Sequence, residues 1–432
     1  MAHPPLPPAL FDRGPVRLDN LTVPGCLLGA EAETVTTALT LDAGRLVDAP
    51  PAQTVDMKGA MAFPAFVDMH THLDKGHIWP RRPNPDGTFM GALDSVAADR
   101  AANWSAEDVR ARAEFSLRCA FAHGTRAIRT HLDSIPPQDA ISWPVFRELR
   151  ADWAGRIELQ AVNLVSADDI PAGPQDTAHP FLRTADIVAQ AGGVLGLVTL
   201  PLPDMARRLR HFLGLAAARD LSADFHVDET GDASVATLRL IAETVLETGF
   251  AAPVVVGHCC SLARQPEAEA LHTLDLVARA GLHVVSLPMC NLYLQDRIAG
   301  RTPRWRGVTL VHEMKARGIP VSFASDNTRD PFYAYGDMDM LEVMREATRI
   351  AHLDHTGADW THAFTTHPAR ACGIDAPSLA PGAPADLVIC RARSFNELMA
   401  RPQSDRTVLR AGRPIDRSLP DYAELDPVMR TA

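Results

Sequence analysis

The sequence predicts an α/β protein: a (β/α)8 barrel of the TIM type with a small β-sandwich domain built from both chain ends. Three observations carry this. Across residues 63–374, apolar strand-like runs alternate with amphipathic helix-like segments, and the strand-like runs number eight. The first run ends in His70-Thr71-His72, where a doubly wound open sheet would carry a Gly-rich phosphate loop. Short apolar runs broken by Gly, Pro and Asp fill both ends of the chain, over 1–62 and 375–432.

In order along the chain, residues 1–14 are proline-rich and read as a loose arm. Runs such as LTVPGCLLG, TALTLDAGRLV and TVDMKGAMAFP then read as short strands. The first barrel strand spans 65–72. WPRRPNPDGTF, at 79–89, is a loop at its C-terminal end, where barrel enzymes keep their sites. Residues 105–124 read as a helix, with Ser105 as N-cap and Glu107 and Asp108 in the first turn. The strands that follow are 125–133, 156–165, 194–200, 223–228, 253–259, 282–287 and 319–325. Between them lie helices at 143–153, 181–191, 205–219, 234–248, 267–280 and 311–317. Two further helices are expected at 340–352 and 360–372. Segments 382–390 and 406–414 return to short strands that can pair with the N-terminal ones.

Composition narrows the function. The chain has 432 residues, 46% hydrophobic and 22% charged, with a formal net charge of −11. Such a balance argues against a nucleic-acid or anionic-membrane binder, which needs a basic surface. The basic-aromatic stretch PRWRG around Trp305 is isolated in this acidic chain. The seven cysteines are odd in number and include no CxxC, so reduced thiols are expected. Cys259 and Cys260, although beside His258, read as small buried residues. There is no basic and apolar leader and no uncharged run of 18 apolar residues. The expectation is a cytoplasmic protein with no nucleic-acid or membrane partner; a homo-oligomer is compatible with it.

The chemistry lies at the strand ends. The first strand ends in His70 and His72, two positions apart and so on one face. The fifth ends in His226-Val227-Asp228-Glu229, the sixth in Gly257-His258 and the eighth in Asp326-Asn327. Singly, each could be structural. Together they fit a hydrolytic centre in which His70, His72, His226 and Asp326 hold one divalent cation that makes hydroxide available at neutral pH. Glu229 is then the acid/base, and His258 contacts the attacking water or the substrate. Strict alternation would put Glu229 and His226 on opposite faces, so the strand must end near Asp228. The fourth strand, GGVLGLVTLP, offers no side chain to bridge a second ion. Arg129, His131 and Asp133 share a face of the second strand, as a buried polar network (favoured for Arg129), a layer behind the ligands, or substrate contacts. Lys75 and His77 either meet a substrate carbonyl or acidic group or are solvated. Asn291 and Gln295 serve either the pocket or their own loop.

The stretches FVDMHTHLD, AIRTHLD, FHVDE, GHC, NLYLQDRIAGRTPRWRGVTLVHEM, SDNTRDPFYAYG and GAPADLVI resemble the amidohydrolase superfamily, in its cytosine-deaminase-like branch. The resemblance spans nearly the whole chain. It implies a distorted barrel with a split β-sandwich. It also implies zinc or iron on His70, His72, His226 and Asp326, with Glu229 as general acid/base and His258 orienting the water. The pocket departs from the branch. The glutamine that reads the pyrimidine amide in cytosine deaminases falls near Ser166, a second aspartate is Asn327, and a ring-packing tryptophan corresponds to Phe332. Exchanging Asp for Asn removes a charge and adds two donors. Ser166, Asn327, Phe332 and Lys75 are thus the expected substrate contacts. The expected reaction is release of ammonia from a small cytosine-like heterocycle. The alternative is removal of a substituted amine from a triazine-like ring, or opening of a cyclic amide.

Overall fold

The computed structural model describes residues 6–429. All eight expected barrel strands form: β1 (Phe66–Thr71), β2 (Thr125–Asp133), β3 (Glu158–Leu164), β4 (Leu195–Val198), β5 (Ala223–Val227), β6 (Val254–His258), β7 (His283–Ser286) and β8 (Val321–Phe323). Parallel strands covered on both faces need near-continuous apolar text. The β6 stretch VVVGH supplies it and is buried throughout. β1, β2 and β3 form one parallel sheet, and β4 to β8 form another. Isolated parallel bridges span both seams: Thr71 with Asp326 on one side, Val162 with Val194 and Ser166 with Val198 on the other. The histidine end of β1 is thereby brought beside the aspartate that follows β8.

Local sequence explains the helix that feeds β2. Ser105 Oγ accepts from the Asp108 amide at 3.2 Å at the start of Ala106–His123. Gly124 ends that helix at φ 100°, where a Cβ would lie 2.4 Å from Val388 Cγ2. Only glycine fits both the left-handed turn and the close approach.

Val388 belongs to an eight-stranded sheet drawn from both chain ends. Leu387–Cys390 pairs antiparallel with Met61–Pro64, which leads directly into β1. Alternation then splits two cores. Met61, Phe63, Val388 and Val408 pack into the barrel core, whereas Ala62, Leu387, Ile389 and Leu409 pack into the core of the sheet itself. Burying a side chain such as Phe63 contributes ~2 kcal/mol.

Three expectations change. The N-terminal arm is docked from Leu6 onward: Leu6 is buried in the sheet core, and Pro8–Asp12 forms a short 3-10 helix. Residues 1–5 lie outside the described residues. The helix expected at 360–372 is broken into a 3-10 segment, Ala358–Phe364, and an α-helix, Thr366–Cys372. Pro368 has no N–H for the Phe364 carbonyl, and the break falls directly after that residue, at Thr365. Finally, helix Phe89–Asn103, capped by Thr88 Oγ accepting from Gly91 N at 3.0 Å, follows the first loop. It has no sustained apolar stripe to announce it, for Met90 and Leu93 are exposed. No helix among the described residues is long and apolar enough to cross a membrane.

Candidate active site

Six predicted residues meet at the C-terminal mouth of the barrel. His70 and His72 are both buried, with ring centroids 5.4 Å apart. The His226 ring is 4.5 Å from His70, and its Nε2 lies 3.5 Å from His72 Nε2. Asp326 Oδ1 is 3.6 Å from His70 Nε2 and 3.3 Å from His72 Nε2. The Asp326 amide donates to the His70 carbonyl at 2.9 Å, which fixes the height of the carboxylate against β1. Behind them, Asp68 accepts from the Ser325 amide at 3.1 Å and its hydroxyl at 2.5 Å. That pair clamps the residues neighbouring both ligand positions.

The turn that Glu229 requires is present. β5 ends at Val227, and Asp228 adopts φ 52°. The Asp228 carboxylate accepts from the Thr237 and Leu238 amides at 3.0 and 3.1 Å, anchoring the turn on the next helix. Glu229 swings inward, where Oε1 accepts from Asn291 Nδ2 at 3.1 Å and lies 3.5 Å from His258 Nδ1. His258 at φ 66° and Asp326 at φ 63° also sit in left-handed backbone.

The donor set suits a cation. His70 Nδ1 and Nε2, His72 Nδ1, His226 Nδ1 and both Asp326 carboxylate oxygens are buried without a hydrogen-bond partner among the described residues. Leaving a buried polar atom unpaired costs about 1–3 kcal/mol. One divalent ion, taking one nitrogen from each ring and a carboxylate oxygen of Asp326, removes part of that cost, and imidazole with carboxylate is a usual zinc or iron ligand set. Burial, reinforced by neighbouring histidines, holds His70 and His226 well below the usual histidine range; for His72, burial and then Lys75 do so. All three are thus neutral, as ligands must be. Burial pushes Asp326 up to about 7, a penalty that an adjacent cation would reverse.

His258 and Glu229 form the proton-handling side. Burial, then His131, pushes His258 down to about 3. Its Nδ1 accepts from the Asn291 amide at 2.9 Å, an assignment of the amide that leaves the ring proton on Nε2. Burial, then the Asp326 charge, pushes the Glu229 carboxyl well above its ordinary range. Asn291 therefore spans both groups, and Gln295 Nε2 donates to the Glu229 carbonyl at 3.2 Å.

The expected substrate contacts divide. Lys75 is not solvated: it is buried, with Nζ 3.0 Å from Asp133 Oδ1. Burial works against its charge, but Asp133 and Asp74 outweigh burial and hold Lys75 above its usual value. Its Nζ is 5.4 Å from the centroid of the Phe332 ring, so these two are neighbours. Asn327 follows Asp326 and donates to Asp330 Oδ2 at 2.7 Å. Ser166 bridges to Val198 at the β3–β4 seam, and no described contact joins it to the histidines. His77 turns away and bonds Ser116 Oγ at 3.0 Å. Arg129 lies in a buried network, 2.9 Å from Asp224 Oδ2 and 2.7 Å from Gln160 Oε1. His131, left among three readings by the sequence, packs 4.1 Å from the His70 ring and belongs to the same candidate ligand cluster. Inward parity on β2 was the available signal for it. Burial raises the Cys259 and Cys260 thiols well above the usual range, which suits inert core residues.

Comparison with known proteins gives the family. A model of the amidohydrolase family matches residues 122–416. A pterin deaminase from Rhizobium rhizogenes is 54% identical over 425 residues, covering 95% of this chain and 96% of that one. The crystal structure of 5-methylcytosine deaminase from Klebsiella pneumoniae with phosphonocytosine superposes with a TM-score of 0.76 at 26% identity, covering 93% of this chain and 97% of that one. That of N-isopropylammelide isopropylaminohydrolase from Burkholderia multivorans gives 0.72 at 25% identity, covering 93% and 98%.

Proposed function

This chain belongs to the amidohydrolase family, and on that premise we propose that it is a metal-dependent deaminase of a pterin-type heterocycle. One observation carries the reaction class: Glu229 and His258 converge on the cluster of His70, His72, His226 and Asp326. The choice of a fused pterin ring over a single cytosine-like ring rests on the likeness to the Rhizobium enzyme along almost the whole of both chains. A pterin carries its amino group on a pyrimidine carbon between two nitrogens, a guanidine-type position.

One zinc or iron ion would be held by His70, His72, His226 and Asp326. When bound, it supplies Lewis acidity and makes hydroxide available at neutral pH. Glu229 takes a proton from the attacking water, delivers it to a ring nitrogen and protonates the departing amine. His258, with its proton on Nε2, donates toward the attacking oxygen. Lys75, kept charged by Asp133, faces the carbonyl end of the ring beside Asn327 and Phe332. Water adds at the amino-bearing carbon, the carbon–nitrogen bond breaks, and a carbonyl and ammonia result.

Ammonia release from pterin, cytosine and 5-methylcytosine by metal-loaded protein tests the reading. Ammonia from pterin is expected; none from pterin, with metal content verified, removes the proposal. A second reading, loss of a substituted amine from a triazine-like ring, is favoured by the likeness to the isopropylaminohydrolase. Isopropylamine release from N-isopropylammelide would support it.

A further inference from the structure

We propose that the barrel mouth carries a second compartment that binds an anionic group, a carboxylate or a phosphate, on the end of the substrate remote from the reacting amine. The proposal rests on the pterin-type reading above. A cavity of about 350 Å3 is lined by Arg264, Arg301, Arg304 and Trp305 together with Gly231 and Gln295. Its wall adjoins the loop that carries Glu229. Gly231 stands two residues after Glu229, and Gln295 is the side chain that donates to the Glu229 carbonyl. Trp305 lies so close to Gly231 that a Cβ there would come within 2.7 Å of the indole ring. Glycine at 231 is therefore what lets the aromatic face approach the Glu229 loop.

The charge of the lining is what identifies the ligand. Three guanidiniums meet one carboxylate, Asp296. Asp296 is already engaged: it pairs with Arg301 and accepts from the backbone amides of Arg304 and Trp305, the latter at 3.1 Å. The guanidiniums of Arg264 and Arg304 have no carboxylate partner among the described residues, and Arg264 lies 5.7 Å from the Trp305 ring centroid. This local positive excess stands in a chain of net charge −11. Guanidinium forks match carboxylate and phosphate oxygens, and the indole offers a flat apolar face beside them. A fused bicycle with its amine at Glu229 and an anion on its pyrazine ring would place each end in a matching environment.

The test compares kcat/KM for unsubstituted pterin, for pterin bearing a carboxylate on the pyrazine ring and for pterin bearing a phosphorylated side chain there. Wild type, Arg264→Ala, Arg304→Ala and Arg304→Lys are assayed. One of the anionic forms should exceed unsubstituted pterin by about tenfold in wild type, the scale of one charge-assisted contact. That form identifies the anion. The ratio should fall about tenfold in the two alanine variants and be partly kept in Arg304→Lys. A wild-type ratio near one for both anions, or a ratio unmoved in both alanine variants, overturns the compartment while leaving the deaminase reading intact. Failure of metal-loaded protein to release ammonia from any of the three pterins overturns both.

Discussion

Asn291 Nδ2 lies 3.1 Å from Glu229 Oε1, a contact that joins residues 62 positions apart in the chain. The same nitrogen is 2.9 Å from His258 Nδ1, so one amide sets the orientation of both proton-handling groups. Burial and Asp326 push Glu229 upward, and the Asn291 donor pulls it back. Removing that donor leaves the carboxyl higher still. Asn291→Ala should lower kcat by roughly 10- to 100-fold, the scale of one or two such hydrogen bonds. Glu229 must be ionised to accept a proton, so the acid limb of the kcat/KM profile should also move to higher pH. An unshifted limb at unchanged kcat would mean that Asn291 does not position Glu229.

Glu229→Gln keeps size and hydrogen bonding but cannot carry a proton. Bound metal should stay near wild-type content by elemental analysis while turnover falls by about 10² to 10⁴. Asp326→Ala should instead lose metal and activity together. Turnover retained in Glu229→Gln would assign proton transfer elsewhere.

Asn327→Asp sets a carboxylate against Asp330, whose carboxyl burial already pushes up to about 6. Two carboxylates at that separation share a proton. Pterin turnover should therefore drop about tenfold at pH 8 and recover partly at pH 6, with a shift in preference among pterin and cytosine-type rings. An unchanged substrate profile would show that Asn327 does not read the ring.

Asp339 links barrel and terminal sheet. Its two oxygens accept from Arg406 Nη1 and Nη2 at 2.7 and 2.6 Å, and Oδ1 caps the Leu341 amide at 2.9 Å. Burial opposes its charge, but Arg406 outweighs burial and holds Asp339 below the ordinary 3.8. The unfolded chain thus binds the proton more readily. The stabilisation is complete above 3.8 and is lost as pH falls through the lower folded value. Urea midpoints measured from pH 6 to pH 3 should fall more steeply for wild type than for Asp339→Asn. That variant should also lose about 3–5 kcal/mol at pH 7, because Arg406 stays buried without its partner. Parallel pH slopes would remove the pair from the acid response.

The eight barrel strands and the cluster members at their ends were legible because both follow short-range rules. Apolar runs announce buried parallel strands, and strand ends announce where barrel chemistry collects. What stayed hidden depends on distant partners. Local text leaves Lys75 between a substrate contact and a solvated group, because its ion-pair partner, Asp133, stands 58 positions on. Asn291 could not be assigned because its targets lie on β6 and after β5. Helix Phe89–Asn103 has uneven burial and so no stripe to announce it, and the break before Thr366 turns on one residue, Pro368, whose missing N–H leaves the Phe364 carbonyl without a helical donor.

Asp228, His258 and Asp326 each hold a left-handed backbone that a side chain enters at a cost of about 1 kcal/mol. Glycine at any of them would relax the chain and delete the group that turns or arms the site. Laboratory or natural selection for thermal tolerance is therefore barred from glycine at these three, whereas left-handed residues away from the reaction, such as Ala43, Asp220 and Ala411, remain open to it. Gains in heat resistance must be sought in the terminal sheet and the outer helices, where sequence can drift without touching the reaction.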